Sequence, residues 1–218
     1  MTGNPISPKI LKAGIVLVDP ESGRVLRIIS LQYNPDSLSR TLQAQTVTAE
    51  GDRADAVRLK GPAVETYKLE AEIDATDQLE FPDRNPSAVE SGIQPQLAAL
   101  ELLLYPSSAQ LSANERLANS GTLEIVPMQS ALALFVWSKN RIVPVKITDF
   151  SITEEAFDPS LNPIRAKVSL GLKVLSVDDL GFSHKGGSVF MTYLQTKEKL
   201  ATKAAAGTFS VLGIGGIS

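Results

Sequence analysis

Residues 149–175 constrain the fold of this chain more than any other stretch. Two patterned runs flank the turn Phe157-Asp158-Pro159-Ser160-Leu161-Asn162-Pro163, where Asp and Asn hydrogen-bond their own backbone and Pro presets φ, so the chain reverses there. After the turn, Ala166, Val168, Leu170, Leu172 and Val174 alternate with Arg165, Lys167, Ser169, Gly171 and Lys173. A period of two is that of a strand with one buried face. Before the turn, apolar side chains occupy odd positions at Val143, Val145 and Ile147, then even ones at Phe150 and Ile152. One extra residue flips every later side chain to the other face, so a bulge is predicted near Thr148 and Asp149. The segment encodes an extended antiparallel hairpin.

The same reading extends to the rest of the chain. An apolar run at 13–18, a Pro20/Gly23 turn and a β-branched run at 24–31 predict a second hairpin. A further Asn-Pro turn follows at Asn34-Pro35, and 39–47 extends the sheet into a polar loop over 50–60. Residues 67–74 alternate without a break, with Lys68, Glu70, Glu72 and Asp74 on the outer face. Residues 94–105 read as a helix with Pro95 in its first turn, Pro106 after its end and a core face of Leu97, Leu100, Leu103 and Leu104. Residues 107–121 read as a short helix or a loop. Runs at 131–137 and 141–147 form strands around the reversal Ser138-Lys139-Asn140, and 189–206 reads as a terminal helix before an apolar, Gly-rich tail at 207–218. The expected fold class is mainly β, α+β, with a β-domain over 1–180 and the C-terminal helix and tail over 181–218.

Composition narrows the function classes. The 218 residues can bury a continuous core, and 43% hydrophobic content fits a folded protein. A net charge of -3 from 21 basic and 24 acidic residues creates no field that recruits nucleic acid or an anionic membrane. Cysteine is absent, which removes disulfides, thiolate zinc sites and a cysteine nucleophile. The first eight residues lack the pattern of a signal peptide, and no run approaches the roughly 20 apolar residues of a spanning helix.

Catalytic chemistry finds few candidates. His184, the single histidine, stands beside Lys185-Gly186-Gly187 in a predicted loop, and no Gly-x-Ser-x-Gly elbow accompanies it. The carboxylates Asp74/Asp77/Glu80 and Glu154/Glu155/Asp158 match no calcium-loop spacing and read as solvated charge. Gly186-Gly187-Ser188 before a helix is a weak anion-site candidate. Trp137 is either a stacking residue for a ligand or a buried or interface aromatic. Lys68, Arg165, Lys167 and Lys173 form a basic strip only if their strands face one way; pairing with Glu70 or Glu72 is the alternative. No catalytic, cofactor-binding or metal residue is assigned, and no cofactor is expected.

The segments Leu31-Gln32-Tyr33-Asn34-Pro35-Asp36-Ser37-Leu38-Ser39-Arg40, Gln94-Pro95-Gln96-Leu97-Ala98-Ala99-Leu100-Glu101-Leu102-Leu103-Leu104-Tyr105-Pro106, and Phe157-Asp158-Pro159 through Asn162-Pro163-Ile164-Arg165-Ala166, in that order, resemble the tube-domain family of contractile injection systems, which are phage-tail-like machines. The resemblance spans 9–179. It implies a phage tail-tube fold, a β-barrel or sandwich flanked by one helix, assembled as a hexameric ring in the baseplate between a trimeric spike and the inner-tube rings. Implied partners are copies of itself, a spike protein, an inner-tube protein or second tube initiator, and other baseplate components, without nucleic acid or membrane insertion. Implied localisation is assembly in the cytoplasm into a free, extracellular or membrane-anchored particle. Better-known members carry a C-terminal LysM module, which does not follow Asp179 here, so a tube-end cap or a LysM partner on a separate chain are further readings. Interface roles are expected for the 50–60 loop, the 154–163 hairpin tip and the tail. The alternative from another class is a soluble β-domain binding a small ligand or glycan near Trp137; an enzyme acting through His184 or Glu154 is the third.

Overall fold

The computed structural model describes residues 10–46, 58–121 and 131–215. Seven strands of these residues form one antiparallel sheet in the order β2-β1-β5-β6-β7-β4-β3: β1 (Gly14–Val18), β2 (Val25–Ser30), β3 (Leu38–Gln43), β4 (Val64–Asp74), β5 (Leu132–Ser138), β6 (Arg141–Phe157) and β7 (Pro163–Val174). The described helices are α1 (Thr76–Leu79), α2 (Pro86–Ser91), α3 (Gln94–Glu101), α4 (Ser108–Asn119), α5 (Val177–Leu180) and α6 (Lys185–Ala201). The expected mainly β, α+β class holds, with more helix than one flanking element. The 50–60 loop expected at an interface lies mostly outside the described residues.

The long hairpin is the spine of the sheet. β6 and β7 pair from Val145↔Val174 to Phe157↔Pro163, with a register shift between Ile147 and Asp149, so the change of apolar phase does mark a bulge. Gly171 belongs to that bulge: a Cβ there would meet the Asp149 carboxylate at 2.5 Å. At the turn, Asp158 Oδ1 accepts the Ser160 and Asn162 amides at 2.8 Å each, and Oδ2 accepts Asn162 Nδ2 at 2.9 Å. Hydrogen bonds from Asn162 hold the Asp158 carboxyl below its ordinary pKa. Asp158→Ala is expected to leave the fold in place and to speed hydrogen exchange at the Ser160 and Asn162 amides, measured by NMR; unchanged exchange would deny the carboxylate its role in the turn.

The inward faces of β4 and β7 supply the core. Tyr67, Leu69, Ala71, Ile73, Ala166, Val168, Leu170 and Leu172 are all buried against Phe135, Val143 and Val145. Tyr67 and Phe135 pack as tilted rings 5.6 Å apart, the offset geometry that aromatic quadrupoles favour. α3 covers the sheet through Leu97 and Leu100, but it ends at Glu101, four residues before the predicted boundary. Leu103 is half-buried and Leu104 is 46% exposed, so the predicted core face shrinks to its first two turns. The ambiguous 107–121 segment is a helix: Ser107 and Gln110 form a reciprocal capping box at its start. None of its residues is buried. α6 begins four residues earlier than predicted and lays Phe190 and Tyr193 into the same core.

The Asn-Pro turn near the N-terminus ties strands together through side-chain amides. Asn34 accepts the Ala13 amide at 2.9 Å and donates to the Leu11 carbonyl at 2.7 Å. Gln32 does the same at the far end of β4, accepting the Asp74 amide at 3.0 Å and donating to the Asp74 carbonyl at 2.6 Å.

Candidate assembly interface

Function follows from what this sheet leaves uncovered. β2 and β3 are its two terminal strands, each paired on one side only among the described residues. A terminal strand presents a row of free backbone donors and acceptors, which isolated proteins normally blunt with charge, proline or a cover. β2 exposes Val25, Leu26 and Ile28, at 68% for Ile28, with Arg27 as its one charge. β3 exposes Leu42. The β6–β7 tip adds Phe157 and Leu161, the latter 77% exposed and held at φ 65°. The left-handed region costs a branched apolar residue roughly 1–2 kcal/mol, so the tip presents an apolar side chain in a strained backbone. After α6, a 3-10 turn over Phe209–Leu212 holds Phe209, Val211 and Leu212 in solvent.

A buried polar cluster fixes the β3 edge and α6 to β4. Glu65 is 3% exposed and lies on the inward parity of β4 with Tyr67, Leu69 and Ala71. Its Oε1 accepts the hydroxyls of Tyr67 at 2.6 Å and Tyr193 at 2.8 Å; its Oε2 accepts Lys197 Nζ at 2.7 Å. Arg40 of β3 approaches at 3.8 Å. Burial alone would raise the Glu65 pKa, but hydrogen bonds from Lys197, Tyr67 and Tyr193 outweigh it and hold the carboxyl below its ordinary value. Burial, with the neighbouring carboxylate, pushes both tyrosine hydroxyls up, so they stay neutral donors. Sequence reasoning missed Glu65, though an acid at an inward position of an alternating strand was the available signal.

The sequence-predicted site residues do not converge on a reaction centre. His184 caps α6, its Nδ1 accepting the Gly186 amide at 3.0 Å, rather than standing in a loop. Gly186 and Gly187 lie buried inside the first turn of that helix, not in an anion-binding loop before it. A Cβ at Gly187 would meet the Gly181 carbonyl at 2.0 Å, which explains the small residue. Trp137 packs half-buried beside Phe135, with centroids 6.1 Å apart. Three of the four residues of the basic strip meet acids: Arg165 pairs with Asp74 at 2.7 Å, Lys167 with Glu155 at 3.1 Å and Lys173 with Asp179 at 2.9 Å. For Arg165 and Lys167 the pairing is cross-strand, with partners other than those expected apart from a longer Arg165–Glu72 approach at 3.9 Å, whereas Lys173 reaches α5. Among the described residues no group of three or more acids or histidines is placed to hold a metal, and no helix is long and apolar enough to cross a membrane.

No protein-family model matches the chain, and no curated protein matches it. Solved structures similar to it include particle tails. One is a chain in the tail of an empty gene transfer agent particle refined with helical, C6 symmetry, 11% identical, covering 75% of this chain and 90% of that one at a TM-score of 0.29. Another is a chain in the virion of a native gene transfer agent particle, 9% identical, covering 74% and 90% at a TM-score of 0.27. At TM-scores this low the likeness carries no argument, and what bears on function is the chain's own surface.

Proposed function

We propose that this chain is a non-enzymatic structural subunit of a phage-tail-like particle, closing with copies of itself into a hexameric tube-initiator or adaptor ring between spike and inner tube. The observation that carries the reading is the pair of terminal strands, β2 and β3, that expose backbone edges and apolar side chains together. Burying each large apolar side chain at a subunit contact contributes about 1.5–3 kcal/mol. A free edge that takes a different segment of the next copy makes a heterologous contact, which generates a ring when the rotation closes. The ordered motifs of the sequence point to the same class of assembly. The ring then matches a spike at one end, presents loops and edges to the first tube ring at the other, and is assembled in the cytoplasm.

The test is the mass of the purified protein by light scattering, followed by negative-stain imaging with a spike and an inner-tube protein. Six-membered rings with a central lumen, alone or on those partners, are the expected result. A monomer that stays monomeric with both partners and binds a small ligand saturably would overturn it.

A further inference from the structure

Among the described residues the sheet is one strand short of closing on itself. β3 pairs β4 only from Val64 to Leu69, so the rest of β4, from Glu70 to Asp74, has β7 on one side and no described strand on the other. Facing that free stretch across a groove of about 310 Å³ is the free edge of β2. Ile28, Ile29, Leu31, Ile73, Ala99 and Leu100 give the groove its apolar walls and floor.

The backbone alternation says which groups look into the groove. Peptide groups of successive residues in an antiparallel strand point to opposite sides. The Leu31 amide bonds the Ala13 carbonyl, toward β1, so those of Ile28 and Ser30 point away from β1. Asp74 turns its amide and carbonyl to Gln32, so Glu72 and Glu70 turn theirs the same way. Both walls thus carry strand hydrogen-bonding groups without a backbone partner among the described residues. At the Asp74 end of the gap the Gln32 side-chain amide exchanges both bonds with the Asp74 backbone, as a residue of a paired strand would.

We propose that this slot is a strand-acceptor site and that it takes residues 208–214 of a second copy of this chain as an added strand. From Ala204 to Ser218 the sequence carries no charged side chain. In extended form Thr208-Phe209-Ser210-Val211 alternates, setting Phe209 and Val211 on one face toward the apolar floor. The tail touches no core of its own: Val211 is 80% exposed and Leu212 70%. A four-residue 3-10 turn costs little to unwind, whereas strand addition satisfies two free edges at once. A second copy is the donor because α6 ends against the Glu65 end of β4, whereas the slot lies at the opposite end beyond Leu69, roughly 20 Å away at about 3.3 Å per residue. Residues 202–204 spend their reach on turns after the helix. The proposal rests on the ring reading above.

The chain has no cysteine, so engineered thiols report without background. Full chains carrying Ala99→Cys and, separately, Val211→Cys are mixed with distinguishable tags and oxidised with copper-phenanthroline, with Ala99→Cys plus Ser138→Cys as the control pair. Docking raises the local thiol concentration, so the slot pair is expected to form disulfide heterodimers at least about 10-fold faster than the control. A rate equal to the control overturns the proposal. So does a doubly substituted Ala99→Cys, Val211→Cys chain that cross-links only within itself when diluted. Light scattering on the same mixtures separates the two readings: rings without the cross-link sink the tail docking alone, and monomers with every partner sink the ring reading as well.

Discussion

Gly92→Ala is expected to lower the melting temperature by roughly 8–16 °C, for a loss of about 4 kcal/mol in a chain of this size. Gly92 follows α2 at φ 56°, a conformation L side chains rarely adopt. An added Cβ would stand 2.0 Å from the Pro163 carbonyl oxygen. That carbonyl accepts the Ile93 amide at 2.8 Å, and Ile93 is wholly buried in the core. The substitution therefore combines backbone strain with the loss of a buried hydrogen bond and a displaced core residue. Calorimetry gives the shift, and hydrogen exchange at Ile93 identifies its cause. A drop of only a degree or two would mean that the α2–α3 corner moves freely against the start of β7.

Glu65→Ala is expected to cost about 3 kcal/mol at neutral pH, roughly 6–12 °C in melting temperature. Its removal leaves Lys197, Tyr67 and Tyr193 without their common acceptor and unties α6 from β4. The folded-state pKa of Glu65 is depressed below 4.5, so its contribution is fully present above the unfolded value and is lost as pH falls through the folded one. The gap in stability between the native chain and Glu65→Ala should therefore be constant from pH 7 down to the ordinary carboxylate range and shrink below it. A gap that does not change on acidification would show that the loss comes from packing rather than from the charge. Glu65→Gln, which keeps the volume and one acceptor, should fall between the two.

Much of the sheet was legible because its signals are local. The turn at 157–163, the bulge after Ile147 and the alternation of β7 each depend on residues within a few positions, and each stands where the pattern put it. The helix boundaries were less legible. α3 stops at Glu101 although Leu102, Leu103 and Leu104 continue the apolar run, and of those three only Leu103 packs against the core. α6 starts at Lys185 because the His184 ring caps it and because two glycines fit closely against α5 and the turn after it. Neither reason has a trace in hydrophobic periodicity.

The sequence by itself determined the strands, their inward faces, the long hairpin and the absence of thiol chemistry, since those rest on side-chain parity, turn residues and composition. Tertiary structure alone decided the buried Glu65 cluster, whose partners Tyr193 and Lys197 lie 128 and 132 residues further along the chain. It also decided that β2 and the end of β4 face each other across a groove. Which strand edges stay free depends on how far β3 pairs and on how the sheet curls back, and those are properties of the whole sheet, to which each strand contributes only its own alternation.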